Sequence, residues 1–206
     1  MRIILSPAKQ MTVDNDAVAH ETLPVFLEQA TELAGYMRSL SYAEAKKLWG
    51  CNDKLAEQNY ERFARMDLKR NLTPAVLAYD GIAFKYMAPG VFETDQFRYA
   101  QERLRILSGF YGVLRAMDGV TPYRLEMQAK ARPCGCRDLY AYWGERIYDE
   151  VQRGNDGRVI VNLASKEYSR CVEKYLRPED LQGFDRLGYR FAPKHSGEME
   201  YVFLRE

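Results

Sequence analysis

LRILSGFYGVLRAMDGVTPYRLEM, residues 104–127, is the stretch on which the interpretation of the whole chain depends. Two glycines stand three positions apart between its apolar runs, and four arginines surround them: Gly109 and Gly112; Arg103, Arg105, Arg115 and Arg124. The pattern predicts a helix that ends at Leu107, a glycine turn, a short helix from Val113 to Met117 and then an extended segment. The turn is either a tight piece of the core or a place where the backbone approaches a phosphate.

Short apolar runs elsewhere in the chain predict strands. Ile3–Leu5, residues 73–80 and Val159–Leu163 are continuous apolar segments that end in polar or glycine residues, as buried strands do. The C-terminal residues alternate in the manner of a β-hairpin, with one arm carrying Tyr189 and Phe191 and the other carrying Met199, Tyr201 and Phe203. The carboxyl ends of parallel strands commonly collect ligands, which makes the turns after these runs candidate sites.

Longer segments predict helices because their apolar residues recur at helical spacing. These segments are residues 23–40, 53–66, 94–108 and 137–151, together with a shorter helix capped by Ser165. Thr94 is the predicted N-cap of the third segment, and Ser41 with Glu44 forms a capping-box pattern. The sequence therefore predicts a helix-rich α/β (α+β) globule with a small mixed sheet.

The bulk composition is typical of one folded domain. The chain has 206 residues, of which 47% are hydrophobic and 13% aromatic, enough to bury a core of its own. No apolar run approaches the ~18 residues of a membrane span, and the N-terminus lacks a signal-peptide pattern. We expect a single domain over residues 1–206, a cytoplasmic monomer with no membrane partner.

Four cysteines and two histidines do not supply a recognisable metal-ligand set. Cys134 and Cys136 form a C-x-C pair, but no second paired-cysteine motif accompanies it. A redox-responsive pair is the other interpretation, although a disulfide between cysteines so close in sequence is strained. We expect neither a metal nor a cofactor.

Charge is unevenly distributed in a chain whose net charge is +1. Residues 98–132 carry seven basic side chains against three acidic ones, a local excess of +4. The excess is either a solvated helix face or a patch that binds phosphates. A helix–hairpin–helix unit uses such residues to hold a DNA backbone, with glycines at the turn and arginines beside it.

Two serine–lysine turns follow predicted strands: Ser6 with Lys9, and Ser165 with Lys166. Each serine can simply cap a helix, or the helix N-terminus can also hold an anion through its free N–H groups. Both interpretations stay open.

A set of acidic and basic residues supports a different hypothesis, an enzyme that acts on a phosphorylated or nucleotide-like small molecule. Its candidate catalytic residues are Lys9, Asp53, Lys54, Arg124 and Glu126. Arg124 and Glu126 are two residues apart on an extended segment, so their side chains point the same way. These groups can equally be structural ion pairs, and no nucleophile triad, Walker loop or dinucleotide fingerprint is present to name a reaction.

Six sequence blocks resemble the YaaA family, in family order along nearly the whole chain. They are LSPAK (5–9), DKLAEQNYERF (53–63), AQERLRILSGFYGVLRAMDGVTPYRLEM (100–127), DLYAYWG (138–144), VNLASKEY (161–168) and LQGFDRLGYRF (181–191). The resemblance implies a cytoplasmic peroxide-stress protein that limits iron-linked oxidative damage. It also implies an α/β globule that has a positively charged cleft, a helix–hairpin–helix element and the ability to bind duplex or distorted DNA.

Carried over onto this sequence, the resemblance assigns the helix–hairpin–helix to Ser108–Leu114. The nucleic-acid-binding residues it implies are Lys9, Lys54, Arg103, Arg105, Ser108, Gly109, Gly112, Arg115, Arg124 and Lys166. Members of the family typically carry a few dozen further residues, including a strand and a basic run, where this chain passes directly from Leu176 to Arg177. We therefore predict that a family segment is missing at that point.

Overall fold

The computed structural model describes residues 1–13, 18–176, 185–186, 189–195 and 203–205. Its strands are β1 (Arg2–Leu5), β2 (Gln10–Met11), β3 (Thr73–Pro74), β4 (Tyr79–Asp80), β5 (Leu104–Ser108), β6 (Gly112–Leu114), β7 (Gly119–Val120), β8 (Ile160–Leu163), β9 (Asp185–Arg186), β10 (Tyr189–Phe191) and β11 (Phe203–Arg205). Its helices are α1 (Leu27–Ser39), α2 (Tyr42–Trp49), α3 (Asp53–Arg65), α4 (Ala75–Ala78), α5 (Ile82–Met87), α6 (Thr94–Arg103), α7 (Leu139–Trp143), α8 (Arg146–Gln152) and α9 (Lys166–Glu173). The predicted α/β class with a small mixed sheet is confirmed.

A four-stranded sheet forms the centre of the molecule, in the order β6–β5–β1–β8. β1 runs parallel to both β5 and β8, and β6 turns back antiparallel beside β5. The continuous apolar run of β1 matches this position, because a strand with a parallel neighbour on each side has helices over its faces. Smaller antiparallel pairs join β2 to β4 and β3 to β7, and β10 lies between β9 and β11.

The helices divide between the two faces of the central sheet. Ile3 and Leu5 point to one face, where they line an apolar cavity of about 620 Å³ together with Tyr99 of α6. On the other face, Asn162 of β8 donates its side-chain amide to the Glu173 carboxylate of α9 at 2.9 Å. α8 contacts both α9 and β1. The helix that leads into β5, α6, therefore covers one face of the sheet. The helices that flank β8, α8 and α9, cover the other face.

This division creates a topological switch point beside β1. β5 and β8 lie on opposite sides of β1, and right-handed crossovers that leave in opposite directions must use opposite faces of the sheet. In open α/β sheets, ligands bind outside the carboxyl ends of the strands at such a point. The fold therefore directs attention to the turns that follow Leu5, Ser108 and Leu163.

The predicted helix–hairpin–helix at Ser108–Leu114 is wrong. α6 ends at Arg103, and residues 104–114 form the antiparallel hairpin of β5 and β6, which is buried throughout. An apolar run of this length does not distinguish a buried strand from a buried helix, and here pairing with β1 decides for the strand. The expected short helix over Val113–Met117 is likewise absent, since β6 and a turn occupy these residues.

The two glycines of this hairpin approach protein atoms closely. A Cβ on Gly109 would overlap the backbone of Leu125 and Glu126, and a Cβ on Gly112, whose φ is +73°, would meet the Trp143 ring at 2.7 Å. A tight core turn, the first of the two interpretations given above, is what the structure contains.

Other predicted elements need smaller corrections. Residues 73–80 form β3, α4 and β4 instead of one strand, because Pro74 cannot continue a ladder and α4 begins directly after it. Glu93, not Thr94, is the N-cap of α6. The capping box of Ser41 and Glu44 is confirmed. The C-terminal hairpin pairs β10 with β11, while Met199 and Tyr201 lie outside the described residues.

No helix in the described ranges is both long and apolar enough to span a membrane.

Candidate functional site

Five polar side chains meet at the carboxyl edge of the central sheet, next to the switch point. Together with Glu167 they line a cavity of about 270 Å³, and the five are called the carboxyl-edge site here: Ser6, Lys9, Arg124, Glu126 and Ser165. The first two follow β1, the next two lie on the extended segment after β7, and the last precedes α9. The two serine–lysine turns noted in the sequence therefore converge in space, although only Lys9 of the two lysines lines the cavity.

Glu126 is held between two cations. Arg124 donates from Nη2 to Glu126 Oε1 at 2.9 Å, and Lys9 Nζ lies 3.5 Å from the same oxygen. The prediction that Arg124 and Glu126 point the same way is confirmed by this contact. Glu167 of α9 lines the cavity as well, so two carboxylates balance the charge of the two cations, and Lys9 and Arg124 are the groups that an anionic ligand would contact.

Ser6 ties β1 to the start of α9. Its hydroxyl accepts from the Ser165 N–H at 2.8 Å and donates to the Ser165 hydroxyl at 3.1 Å. Ser165 is the N-cap residue of α9, yet its side chain makes no capping bond to the helix. The helix N-terminus thus remains directed at the cavity, where its dipole favours negative charge.

A chain of buried hydroxyl groups lies behind the cavity. The Tyr123 hydroxyl is 2.8 Å from that of Tyr79 and 2.7 Å from that of Ser108, and Ser108 also accepts from the amides of Phe110 and Tyr111. Burial raises the pKa of Tyr123 to about 12, which keeps it neutral. Ser108 is thus used inside the hairpin, where it stabilises the turn instead of facing a ligand.

A second cavity, of about 420 Å³, adjoins the carboxyl-edge site and shares Arg124 and Glu126 with it. It is called the lysine cavity here, after Lys47 of α2 and Lys130, neither of which forms an ion pair within the described residues. Trp49 fixes the shared wall by donating its indole N–H to the Arg124 carbonyl at 2.6 Å. The Arg124 Nε is buried and has no hydrogen-bond partner in the part of the chain that the structure describes.

Arg103 and Arg105 lie at the opposite, amino end of β5. Arg105 is only 6% exposed, and it donates to backbone carbonyls at the junction of α6 and β5, at 3.1 and 2.7 Å. Burial lowers the pKa of Arg105 to about 10. Arg103 donates to the Met1 carbonyl at 3.4 Å. The structure does not bring either arginine to Arg124.

Arg115 is also engaged within the fold. Its Nε lies 3.4 Å from Asp118, a residue that is 1% exposed and that also accepts from the Thr22 hydroxyl at 2.5 Å. Burial raises the pKa of Asp118, and these hydrogen bonds oppose the rise. The Arg115 guanidinium therefore compensates a buried carboxylate.

Asp53 and Lys54, two of the candidate catalytic residues, do not pair with each other. Asp53 instead forms an ion pair with Lys46 of α2, which raises the pKa of Lys46. Lys54 is exposed in the first turn of α3, and Lys166 is exposed at the first position of α9, beside the carboxyl-edge site but outside its lining. Within the described residues, no group of three or more metal-ligating side chains could hold an ion.

Sequence reasoning missed the residues that surround Arg124. Tyr123 and Tyr168 line the carboxyl-edge site, and Lys47, Trp49 and Lys130 line the lysine cavity. Alternation along residues 123–127 could have indicated Tyr123, because Tyr123, Leu125 and Met127 are buried between half-buried charges. Lys47 carries no such signal, since it comes from a helix far away in sequence.

Comparison with known proteins agrees with the blocks described in the sequence. The family model "Peroxide stress protein YaaA" matches residues 1–178. A UPF0246 protein of Agathobacter rectalis is 46% identical over 249 residues, covering 100% of this chain and 99% of the relative. UPF0246 proteins of Lachnoclostridium phytofermentans and Desulfitobacterium hafniense are 53% and 54% identical, over 88% and 85% of this chain and 70% and 69% of theirs.

The alignment with the Agathobacter relative is longer than the chain itself. It extends over 249 positions, whereas the chain has 206 residues, so at least 43 positions of the alignment have no counterpart here. The location of the missing segment, between Leu176 and Arg177, stays a prediction.

Proposed function

The chain belongs to the peroxide stress protein YaaA family, and on that premise we propose that it acts under peroxide stress by binding a phosphate-bearing small molecule at the carboxyl-edge site. The observation that supports this most directly is the convergence of Lys9, Arg124 and the Ser6–Ser165 pair on one cavity at the switch point of the sheet. Parallel sheets bind phosphorylated ligands at this kind of edge.

Three groups at the cavity can contact an anion, while Glu126 and Glu167 balance the charge of its two cations. Arg124 can offer a guanidinium fork, Lys9 a mobile ammonium group, and α9 the positive end of its dipole. Glu126 holds both cations in place, and its carboxylate can accept a hydroxyl hydrogen bond from a sugar. The volume of about 270 Å³ lies just under the usual range for ligand sites, which favours a small phosphorylated group.

Calorimetric titration with inorganic phosphate and with a nucleoside monophosphate tests this proposal. We expect the double variant Lys9→Gln, Arg124→Gln to bind at least about 100-fold more weakly, because it loses two charge-assisted hydrogen bonds of about 1.5–3 kcal/mol each. Lys54→Gln is the matched control and should bind as the unaltered chain does. Equal affinities for the double variant and the unaltered chain would refute the assignment.

DNA binding is the second candidate function, and the lysine cavity is the observation that favours it. Lys47 and Lys130 face solvent without ion pairs in the described residues, next to Arg124. Such groups can neutralise backbone phosphates. The resemblance to the YaaA family also implies that the protein limits iron-linked oxidative damage, and we include this role in the proposed function.

Fluorescence anisotropy with a short labelled duplex, repeated across salt concentrations, tests the DNA candidate. Each phosphate contact contributes about −0.9 to the slope of log affinity against log salt. We expect Lys47→Gln, Lys130→Gln to make the slope shallower by about 2, while Lys69→Gln leaves it unchanged. A chain that binds phosphate but shows no salt-dependent duplex affinity excludes DNA and retains the small-molecule proposal.

A further inference from the structure

β8 is an open edge of the central sheet. Within the described residues it pairs only with β1, and its outer side has no neighbour. Leu163 is 61% exposed and Val159 is 40% exposed. Leu163 also forms one wall of the apolar cavity of about 620 Å³ that Ile3, Leu5 and α6 line. Exposed apolar side chains therefore occur both on the edge strand and on the adjoining face of the sheet.

The outward backbone groups of β8 can be identified. The Arg2 amide donates to the Val159 carbonyl at 2.8 Å, so the polar backbone groups of Val159 face β1. Backbone groups alternate in direction along a strand, which turns those of Ile160 and Asn162 outward. β8 contains no proline, lysine or other charged residue, and thus lacks the usual protection of an edge strand.

Chain topology explains why this edge is bare. α9 lies on the face that makes a crossover from β8 right-handed when the next strand is added outside β8. The Agathobacter relative aligns over at least 43 positions that this chain lacks, and we predict that they follow Leu176, directly after α9. None of the described residues of this chain pairs with the outer side of β8, which leaves that position for another occupant.

We propose that the occupant is a second copy of this chain, paired through antiparallel β8 strands. A two-fold axis perpendicular to the sheet places the apolar faces of both copies on the same side. Odd-numbered residues of one β8 then lie opposite odd-numbered residues of the other, and even-numbered residues lie opposite even-numbered ones. With Val161 on the axis, Ile160 exchanges backbone hydrogen bonds with Asn162 of the second copy, both being outward residues. The same register places Val159 against Leu163 of the second copy on the apolar face.

Charge complementarity supports the same register. The register with Val161 on the axis brings the turn before β8 close to the start of α9 in the second copy. The exposed Asp156 of that turn then lies near the exposed Lys166 of the second copy. Symmetry repeats each contact, as in most homodimers. The proposed dimer differs from the monomer expected from the sequence, and the inference is independent of the ligand proposed above.

Light scattering on the eluting protein tests the assembly. We expect the unaltered chain to have twice the monomer mass at micromolar concentration. Leu163→Lys should return it to monomer mass because it places an ammonium group at the apolar seam. Leu55→Lys, at an exposed apolar position of α3, is the control and should remain a dimer. A monomeric unaltered chain, or a dimeric Leu163→Lys variant, overturns the proposal.

Disulfide trapping tests the register without relying on a destabilised variant. Val161→Cys in a Cys134→Ser background places two thiols across the axis at a non-hydrogen-bonded pair, where Cα atoms are ~4.5 Å apart. We expect rapid covalent dimer under mild oxidation. Leu163→Cys in the same background should not crosslink, because its opposite residue is Val159. Crosslinking at 163 and not at 161 contradicts the proposed pairing.

Discussion

At the scale of single residues, Gly109 shows how closely the central hairpin packs under the carboxyl-edge site. Its missing side chain lets the turn rest against the backbone of Leu125 and Glu126. The same turn accepts a hydrogen bond from the Trp143 indole at 3.0 Å. The segment that carries Glu126 can therefore take its position only because Gly109 has no Cβ.

Gly109→Ala should destabilise the protein and disturb the site together. The new methyl group would meet backbone atoms that cannot rotate away, which costs about 1–3 kcal/mol in a packed core. We expect a lower free energy of unfolding in urea and weaker phosphate binding, because the segment holding Glu126 must shift. Gly35→Ala is the matched control: a Cβ there meets nothing within 4 Å, and replacing a helix-interior glycine stabilises by about 0.5–1 kcal/mol. An unchanged stability for Gly109→Ala would contradict the close packing.

The Tyr123 hydroxyl provides a second test at this scale, through alkaline stability. Burial raises its pKa from 10.0 to about 12, so the folded state retains a proton that the unfolded state releases. The associated stability is present below pH 10 and is lost as the pH rises from 10 to about 12.

Tyr123→Phe should therefore reduce the slope of unfolding free energy against pH in that window. At pH 8 we expect the variant to be about 1–2 kcal/mol less stable, because Tyr79 and Ser108 lose a buried partner. Urea unfolding at several pH values measures both effects. Tyr99→Phe, at an exposed position of α6, should leave the slope as it is, and an equal slope in both variants would exclude Tyr123 as a source.

At the scale of elements, local signals predicted some segments well and failed where pairing decides. Ser41 and Glu44 identified the start of α2 because a capping box depends only on neighbours within one turn. Residues 104–108 carry the same apolar run in a helix or a strand, and only contact with β1 and β6 makes them β5. Sequence alone could not supply that contact.

The capping box itself offers an element-scale prediction. Ser41 accepts from the Glu44 amide at 3.3 Å, and the Glu44 carboxylate accepts from the Ser41 amide at 2.8 Å. Ser41→Ala should cost about 1 kcal/mol of unfolding free energy. Ser39→Ala, at the end of α1, should cost only a few tenths, since its hydroxyl bonds to a carbonyl of its own helix. Thermal melts of both variants check the difference, and equal melting temperatures would argue against the cap.

At the scale of the whole molecule, the candidate site was partly predictable for a physical reason. Lys9, Arg124 and Glu126 are near strand ends or on an extended segment, and parallel strands bring such ends to one edge. Arg105 and Arg115 stand in the same sequence block, but strand β5 carries Arg105 to the far edge and Asp118 holds Arg115. Arginines that are close in sequence therefore do not share one surface: Arg105 and Arg115 lie apart from Arg124.

The dependence of the melting temperature on protein concentration tests the proposed dimer. If two copies unfold together, dilution favours the separated unfolded chains, and each tenfold change in concentration shifts the balance by about 1.4 kcal/mol per dimer. For chains of this size we expect the melting temperature to rise by about 2 °C for each tenfold increase in protein concentration. Leu163→Lys should melt at one temperature throughout, since its seam cannot form. A melting temperature of the unaltered chain that ignores concentration would mean that β8 remains unpaired, whatever the affinity of the carboxyl-edge site for phosphate.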